Sequence, residues 1–260
     1  MTTKPTIGIL YVGIGPYIRL WDDFYSTCKK NFCPELTKHY YVVTDAQIEH
    51  GEDVTLVHQD NLGWPCNVVF RYLFFLRIKE LLAQYDYLFF FNGNTRFRKC
   101  VAPEEFLPTE EEGGLIALTW QQGTENPDNY GFERRPESAA YTPFGTKSIY
   151  LQSGITGGRT TEYLQLLERC HDMTMADFQK GIIPVSHDES IYNKYMVGRP
   201  AKLISSLYGK PSQRDRGHTA KIVFQRKEDI LGRSWLRRYK NRPHTNTWFR
   251  KLLRKLGLVS

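Results

Sequence analysis

A short, continuous apolar run from Leu88 to Phe91 stops abruptly at Asn92-Gly93-Asn94. The run is too short to cross a membrane and polar residues flank it, which predicts a strand buried on both faces of a sheet. Ligands of open α/β sheets bind just beyond the carboxyl ends of the strands, so the two amides are candidate ligand contacts. Asn-Gly is also a common tight-turn dipeptide, and a plain turn explains the same residues.

Apolar runs with the pattern of strands alternate along the chain with amphipathic helical patterns. The predicted strands are 6–12, 40–44, 54–58, 88–91, 115–120, 148–152 and 182–185, and the predicted helices are 18–31, 64–83, 160–177 and 191–197. This alternation predicts an α/β fold with a mainly parallel central sheet. The small residues at 153–158 allow close approach of a ligand or of another backbone, or serve a loop that needs positive φ.

The basic charge of the chain is concentrated at its C-terminal end. The 260 residues include 35 Lys or Arg and 28 Asp or Glu, a net charge of +7, and nine of the basic residues follow Asp229 with no acid among them. We interpret residues 1–242 as one domain and 243–260 as a basic amphipathic tail. Residues 248–258 place apolar and basic side chains on opposite helix faces, which is typical of binding to an anionic membrane surface. Packing on the body or on another subunit explains the same pattern.

Cysteine usage and apolar pattern favour a cytoplasmic protein. Five cysteines, an odd number without tight spacing, argue against a disulfide framework or a zinc site. No apolar signal region precedes Ile7, and no run of about 18 apolar residues occurs. We expect peripheral attachment to the inner face of the cytoplasmic membrane through the tail. A basic tail also attracts nucleic acid, but no base-reading motif is present, so no specific nucleic acid partner is expected.

The segment Ser186-His187-Asp188-Glu189 precedes a predicted helix. A His, an Asp and a Glu in sequence at a strand–helix junction are typical of a catalytic site. The spacing of Ser186 and Glu189 also matches a capping box, in which both side chains satisfy free N–H groups at the helix start. The local sequence leaves both interpretations open.

Four stretches, in this order, resemble glycosyltransferase family 6, which contains the histo-blood-group A and B transferases, the α-1,3-galactosyltransferase and bacterial relatives. They are Y-D-Y-L-F-F-F-N-G-N at 85–94, F-E-R-R-P at 132–136 with Ala140-Tyr141, the glycine-rich 154–158, and H-D-E-S-x-x-N-K-Y at 187–195. The resemblance covers about residues 6 to 240. It implies a GT-A fold, a single nucleotide-binding α/β domain. It also implies transfer of galactose or N-acetylgalactosamine (GalNAc) from a UDP-sugar to a glycan, with retention, in an α-1,3 linkage.

The resemblance departs from the vertebrate pattern at the end of the central strand. Vertebrate members carry Asp-x-Asp there and use manganese, whereas this sequence has Asn92 and Asn94, a form shared by many metal-independent bacterial members. Neutral amides hold a hard divalent cation weakly, so we expect no metal and no other cofactor. Protein cations must then offset the charge of the departing UDP. Lys227 and Arg237 match the diphosphate-binding residues of bacterial relatives, and segment 225–238 is expected to close over the donor.

The resemblance assigns further residues by position. Those implied in UDP binding, besides the two cations, are Tyr11, Val12, Tyr17 and Gly93. Those implied in binding or selecting the transferred sugar are Arg71, Asn92, Asn94, Gln152, Ser153, Gly154 and Asp188, with Trp64 nearby. Glu189 matches the proposed nucleophile of the family. The acceptor-binding residues are His187 and Trp120, where Trp120 replaces a common His and Ser186 replaces a Trp.

The function implied is a metal-independent, retaining α-1,3-glycosyltransferase that uses UDP-GalNAc or UDP-Gal. Its place would be in bacterial surface glycan synthesis (O-antigen, capsule or lipooligosaccharide), with a lipid-linked glycan as one acceptor class. A UDP-sugar hydrolase and a non-catalytic sugar-binding relative explain the same residues.

Overall fold

The computed structural model describes residues 4–119 and 126–233, so the predictions for Trp120, Arg237 and the tail 243–260 lie outside the described residues. The strands are β1 (Thr6–Val12), β2 (Thr37–Thr44), β3 (Val54–His58), β4 (Tyr87–Phe91), β5 (Thr95–Phe97), β6 (Leu115–Thr119), β7 (Leu151–Arg159), β8 (Lys202–Ile204), β9 (Lys210–Pro211) and β10 (Ile222–Phe224). The helices are α1 (Trp21–Asn31), α2 (Cys66–Val69), α3 (Arg71–Leu76), α4 (Lys79–Leu82), α5 (Pro103–Phe106), α6 (Thr160–Gln179), α7 (Asp188–Met196) and α8 (Lys227–Leu231).

One mixed sheet organises the molecule, with the strand order β3-β2-β1-β4-β7-β6-β8. β1 is parallel to β2 and β4, and β6 is parallel to β8, whereas β7 is antiparallel to both of its neighbours. The predicted α/β fold with a mainly parallel sheet is confirmed, and the arrangement is that of a GT-A type domain. After β1 the chain first adds β2 and β3 on one side and then β4 on the other. This reversal creates a crevice beyond the carboxyl ends of β1 and β4.

The central strand β4 is buried on both faces, as its apolar run predicts. Leu88 and Phe90 pack with residues of α3, α6 and α7, while Phe89 and Phe91 pack on the opposite face with residues of α1 and β10. None of the four side chains is more than 3% exposed. Two apolar cores therefore hold this strand, and they fix the position of the turn that follows it.

The helix predicted over 64–83 is three short helices, α2, α3 and α4. Phe70 and Ile78 separate them with backbone angles outside the helical range. Phe70 is fully buried and packs edge-on against Phe178 with 4.7 Å between ring centroids. Tertiary packing of such aromatic residues overrides the helical pattern of the sequence at this point.

The glycine-rich segment belongs to the sheet and is not a loop. It forms most of β7, so the strand predicted at 148–152 begins and ends too early. At Gly157 a Cβ would collide with the backbone of β4 at Leu88 and with the Phe89 side chain, so the close approach is one of strand to strand. The strand predicted at 182–185 is wrong, because the described structure has no strand there and the chain turns directly into α7.

None of the helices within residues 4–119 and 126–233 has the length and apolar character needed to cross a membrane.

Candidate active site

A cavity of about 750 Å³ opens at the crevice beyond β1 and β4. Many of the residues singled out in the sequence line it: Val12, Tyr17, Trp64, Arg71, Asn92, Gly93, Asn94, Gln152, Ser153, Gly154, Glu189 and Lys227. The segment 225–238, which is expected to close over the donor, contributes Gln225, Arg226 and Glu228 to the same wall. Other lining residues are not singled out by the sequence: Asn67 of α2, Gln213 of the turn after β9, and Phe224 of β10. The tertiary structure brings them to this edge of the sheet.

The turn after β4 is both a structural turn and part of the cavity wall. The N–H of Asn92 donates to Gly154 O at 2.8 Å, and Thr95 N–H closes the turn on Asn92 O at 2.9 Å. Asn94 is buried, and its Nδ2 donates to Gln225 O at 2.6 Å. Its Oδ1 has no hydrogen-bond partner within the described part of the chain. A buried acceptor of this kind at the cavity wall is satisfied when a ligand donates to it.

The wall formed by the end of β1 contains an aromatic ring and a cation. Tyr17 lines the cavity, and Lys227 Nζ lies 5.2 Å from the centroid of its ring. Tyr11, which the resemblance places at the uridine, has its side chain fully buried in the core and does not line the cavity. Its hydroxyl lies 3.4 Å from Tyr17 O and from Gly93 O. The Tyr11 side chain therefore supports the cavity wall from behind.

A bulge in β7 brings three of the predicted residues to the cavity. Ala117 of β6 pairs with Thr156, but the next residue, Leu118, pairs with Gln152. The three residues between, Ser153 to Ile155, are left without a partner on β6, and such a bulge redirects side chains at a sheet edge. At Gly154 a Cβ would lie 2.9 Å from Phe224 Cζ and 3.1 Å from Asn92 Nδ2. The Phe224 ring and the Asn92 amide therefore pack against the strand only because Gly154 has no side chain.

Arg71 and Asp188 form a buried ion pair behind the cavity. Arg71 Nη2 lies 3.1 Å from Asp188 Oδ2, and both side chains are less than a tenth exposed. Arg71 Nη1 also donates to Ser153 O at 3.0 Å, and Ser153 Oγ donates to Asp188 Oδ2 at 3.1 Å. The structure thus brings together three residues that the resemblance assigns to the transferred sugar. Asp188 stands behind Ser153 and is not on the cavity surface.

Glu189 is directed into the cavity and does not cap its helix. It is in the first turn of α7, and Oε2 accepts from Ser153 N–H at 2.9 Å while Oε1 accepts from Tyr150 O–H at 2.8 Å. The N-cap position is His187, with φ of 57° and no capping side chain, so the capping-box interpretation is wrong. Burial raises the pKa of the Glu189 carboxyl, the Ser153 and Tyr150 hydrogen bonds oppose that rise, and the charge of Asp188 adds to it.

Of the residues predicted at the acceptor side, His187 and its neighbour Ser186 lie just before α7. His187 packs edge-on against Trp64, with 4.9 Å between ring centroids, and Trp64 lines the cavity. Ser186, which replaces a Trp of the family, donates through Oγ to Gly131 O at 3.1 Å. An aromatic ring in the cavity wall is a surface on which a sugar ring can stack.

The F-E-R-R-P motif has a structural role that the sequence does not reveal. Glu133 is 2% exposed, and its Oε2 accepts from Arg135 Nη2 at 2.6 Å and from Val185 N–H at 2.9 Å. Arg135 Nη2 also donates to Ile183 O at 2.7 Å. This pair fixes residues 183–185, which lead into His187 and Glu189.

The amides at Asn92 and Asn94 are a poor donor set for a divalent cation. Within residues 4–119 and 126–233, no three His, Cys, Asp or Glu side chains lie close enough together to hold a metal ion. The two amides bring no negative charge to this turn, and hard cations prefer carboxylate oxygens.

Comparison with known proteins agrees with this geometry. The profile of glycosyltransferase family 6 matches residues 71–231. The O-antigen biosynthesis glycosyltransferase WbnI of Escherichia coli is 34% identical over 85% of this chain and 95% of its own length. The histo-blood group ABO system transferase 2 of Rattus norvegicus is 27% identical over 78% of this chain, and the globoside alpha-1,3-N-acetylgalactosaminyltransferase 1 of Gallus gallus is 24% identical over 80%. The match spans 63% and 62% of these two longer relatives. The chain belongs to glycosyltransferase family 6.

Proposed function

We propose that this glycosyltransferase moves GalNAc or Gal from a UDP-sugar to a glycan acceptor with retention of configuration and without a metal ion. The observation that carries the proposal is the position of the Glu189 carboxylate, in the same cavity as the Asn92–Asn94 turn and Lys227. The names of the relatives support the chemistry, since one acts in O-antigen biosynthesis and another is an N-acetylgalactosaminyltransferase.

Retention by double displacement requires a nucleophile on the face of the sugar opposite the leaving group, and negative charge there also stabilises an oxocarbenium ion. Glu189 supplies it, either by attacking the anomeric carbon or by stabilising an oxocarbenium ion. Both carboxylate oxygens are already oriented by Ser153 and Tyr150, so little reorganisation is needed when positive charge develops. Asp188, held by Arg71, is placed to accept hydrogen bonds from sugar hydroxyls if Ser153 shifts.

The departing UDP needs positive charge, and Lys227 provides it in the proposal. Lys227 lines the cavity beside Tyr17, which suits a base stacked on the ring with its phosphates next to the ammonium group. Arg226 lines the same wall. Arg237, outside the described residues, is proposed as a second phosphate contact.

Gly154 supports GalNAc as one donor, because the family resemblance matches it to the segment that helps set donor choice. Phe224 and Asn92 pack close to Gly154, so a larger residue at this position would force them to shift within the cavity wall. Gal is the alternative donor. A comparison of the two donors therefore tests the role of this segment.

The decisive experiment offers purified protein UDP-GalNAc and UDP-Gal, each with a panel of glycan acceptors and an excess of EDTA. We expect transfer to at least one acceptor with at least one donor, and NMR of the product should show an α-anomeric linkage. Strict dependence on added manganese would contradict the metal-independent reaction. A β-linked product would contradict retention, and release of free sugar with no transfer to any acceptor would indicate a hydrolase.

The tail is proposed to hold the enzyme at a membrane where a lipid-linked glycan is glycosylated. Deletion of residues 246–260 should move the protein from the membrane fraction to the supernatant while leaving transfer to a soluble acceptor intact. A membrane fraction that the deletion does not change would contradict this role of the tail.

A further inference from the structure

The Glu189 carboxylate is held on both oxygens by groups from one short segment. Oε2 accepts from the N–H of Ser153 at 2.9 Å, with Ser153 Oγ at 3.4 Å, and Oε1 accepts from the hydroxyl of Tyr150 at 2.8 Å. The N–H of Ser153 is backbone and is set by the bulge of β7. The Tyr150 hydroxyl therefore makes the shorter of the two side-chain contacts, since Ser153 Oγ lies 3.4 Å from Oε2.

Tyr150 is itself immobilised by neighbouring rings. It is 6% exposed, stacks on Tyr130 with 5.3 Å between centroids and an interplanar angle of 11°, and meets Phe132 edge-on at 5.0 Å. Its neighbour Leu151 is tied at N–H and C=O to the Asn193 side chain of α7, at 2.8 and 2.9 Å. Both the ring and the backbone of this segment are thus fixed relative to the helix that carries Glu189.

We infer that Tyr150 is a positioning residue for the reaction: its hydroxyl fixes the plane of the Glu189 carboxylate in the cavity. This inference rests on the proposed role of Glu189. With one donor on each oxygen, the remaining lone pairs of the Glu189 carboxylate point in one direction. A reacting group that is already held in its reactive orientation loses less conformational entropy in the transition state.

The Tyr150 hydroxyl also influences the pKa of the Glu189 carboxyl, together with the titratable groups around it. The titratable groups that face the carboxylate are Tyr150 itself, Asp188 on the same helix and Tyr192 one turn further, with Arg71 behind Asp188. Lys227 and Glu228 line the same cavity. In the described ion pairs no cation contacts Glu189, and burial raises its pKa. The Tyr150 hydrogen bond opposes that rise, because it stabilises the ionised form.

The test is Tyr150→Phe, with Tyr208→Phe as the matched control. Tyr208 O–H donates to Glu105 Oε2 at 2.9 Å, which is the same kind of hydrogen bond away from the cavity. In Tyr150→Phe we expect kcat to fall about 10- to 100-fold, the range for a hydrogen bond to a charged group. The KM for the UDP-sugar should change little, and the acid limb of the kcat–pH profile should move to higher pH. Tyr208→Phe should leave both the rate and the profile unchanged.

Two outcomes separate this inference from the function it rests on. If Glu189→Gln is inactive but Tyr150→Phe keeps the wild-type kcat and acid limb, Tyr150 has no positioning role and the proposed function stands. If Glu189→Gln remains active, the role of Glu189 itself is wrong. Should Tyr150→Phe fail to fold, 3-fluorotyrosine at this position keeps the ring and makes the hydroxyl more acidic. The acid limb should then move to lower pH, and an unmoved limb would overturn the inference.

Discussion

Glu133 and Glu189 are two carboxylates in neighbouring regions of the molecule, and their surroundings are opposite. Glu133 is paired with Arg135 and accepts backbone N–H groups. Burial alone would raise its pKa, but the guanidinium and those N–H groups outweigh burial and lower it to about 2. Among the described residues, Glu189 accepts its hydrogen bonds from the neutral groups of Ser153 and Tyr150, and burial raises its pKa. A carboxylate with a cation stabilises the fold, whereas one without a cation is available to a positively charged transition state.

The largest effect expected from this comparison is on activity. Glu189→Gln keeps the size of the side chain and removes the charge, so transfer should fall by a factor of at least about 10³. The dissociation constant for UDP, measured by titration calorimetry, should change little because UDP has no anomeric carbon to stabilise. Turnover within a factor of ten of wild type would remove Glu189 from its proposed role.

Replacing Glu133 should lower the thermal stability of the protein, whereas replacing Glu189 should not. Glu133→Gln should lower the free energy of unfolding by about 2 kcal/mol and the Tm by several degrees, because hydrogen bonds to the charged group are lost. Glu189→Gln should leave the Tm at pH 7 unchanged or higher. A raised folded-state pKa means that the stability contribution of Glu189 is lost as pH rises through that pKa, so its ionised form opposes folding at neutral pH. Calorimetric melting of both variants gives the comparison, and a large destabilisation by Glu189→Gln would contradict it.

The acid side of the pH range tests Glu133 separately. Its folded-state pKa is lowered to about 2, so its contribution is present above the unfolded value of about 4.3 and is lost as pH falls from there towards 2. The difference in stability between wild type and Glu133→Gln should therefore shrink over this interval. Denaturant unfolding at a series of pH values measures this difference in the free energy of unfolding. A difference that stays constant down to pH 2 would contradict the stabilisation of the Glu133 carboxylate by Arg135.

The smallest effect concerns the cation across the cavity from Glu189. Lys227→Ala should weaken UDP binding about tenfold, with a smaller loss for uridine, because only UDP offers phosphates to the ammonium group. Lys227→Arg, which keeps the charge, should restore most of the affinity. Equal losses for UDP and uridine would show that Lys227 acts through the Tyr17 ring and not on the diphosphate.

Local sequence predicts the half of the sheet that is built from apolar runs. β1 to β4 lie where the apolar segments predict them. In β1, β2 and β4 burial on both faces leaves a strong pattern, whereas β3 is a partly exposed edge strand. β7 is not predicted with its correct bounds. Gly157 is needed for close packing against β4, but a glycine in the sequence is equally typical of a loop. Glycine supplies conformational freedom and close packing alike, and the sequence alone does not distinguish them.

The residues of the candidate site also differ in whether the sequence predicts them. Glu189 and the asparagines are found because they lie in recognisable motifs, and Glu189 is distinguished from a helix cap only by the observed backbone at His187. Tyr150 is missed because its partner is 39 residues away and nothing in the run Ile149-Tyr150-Leu151 distinguishes it from an ordinary strand start. Phe224 is missed for the same reason, since it reaches the cavity through the pairing of β10 with β5.

The position of residue 189 relative to the sugar can be measured in a structure of the Glu189→Gln variant with a bound UDP-sugar. We expect its side chain roughly 3–3.5 Å from the anomeric carbon, the distance of a near-attack arrangement. We also expect this side chain on the face of the sugar opposite the diphosphate, with Lys227 at the phosphate oxygens. A sugar bound with residue 189 on the same side as the diphosphate, or with a metal ion between the two asparagines, would contradict the proposed reaction.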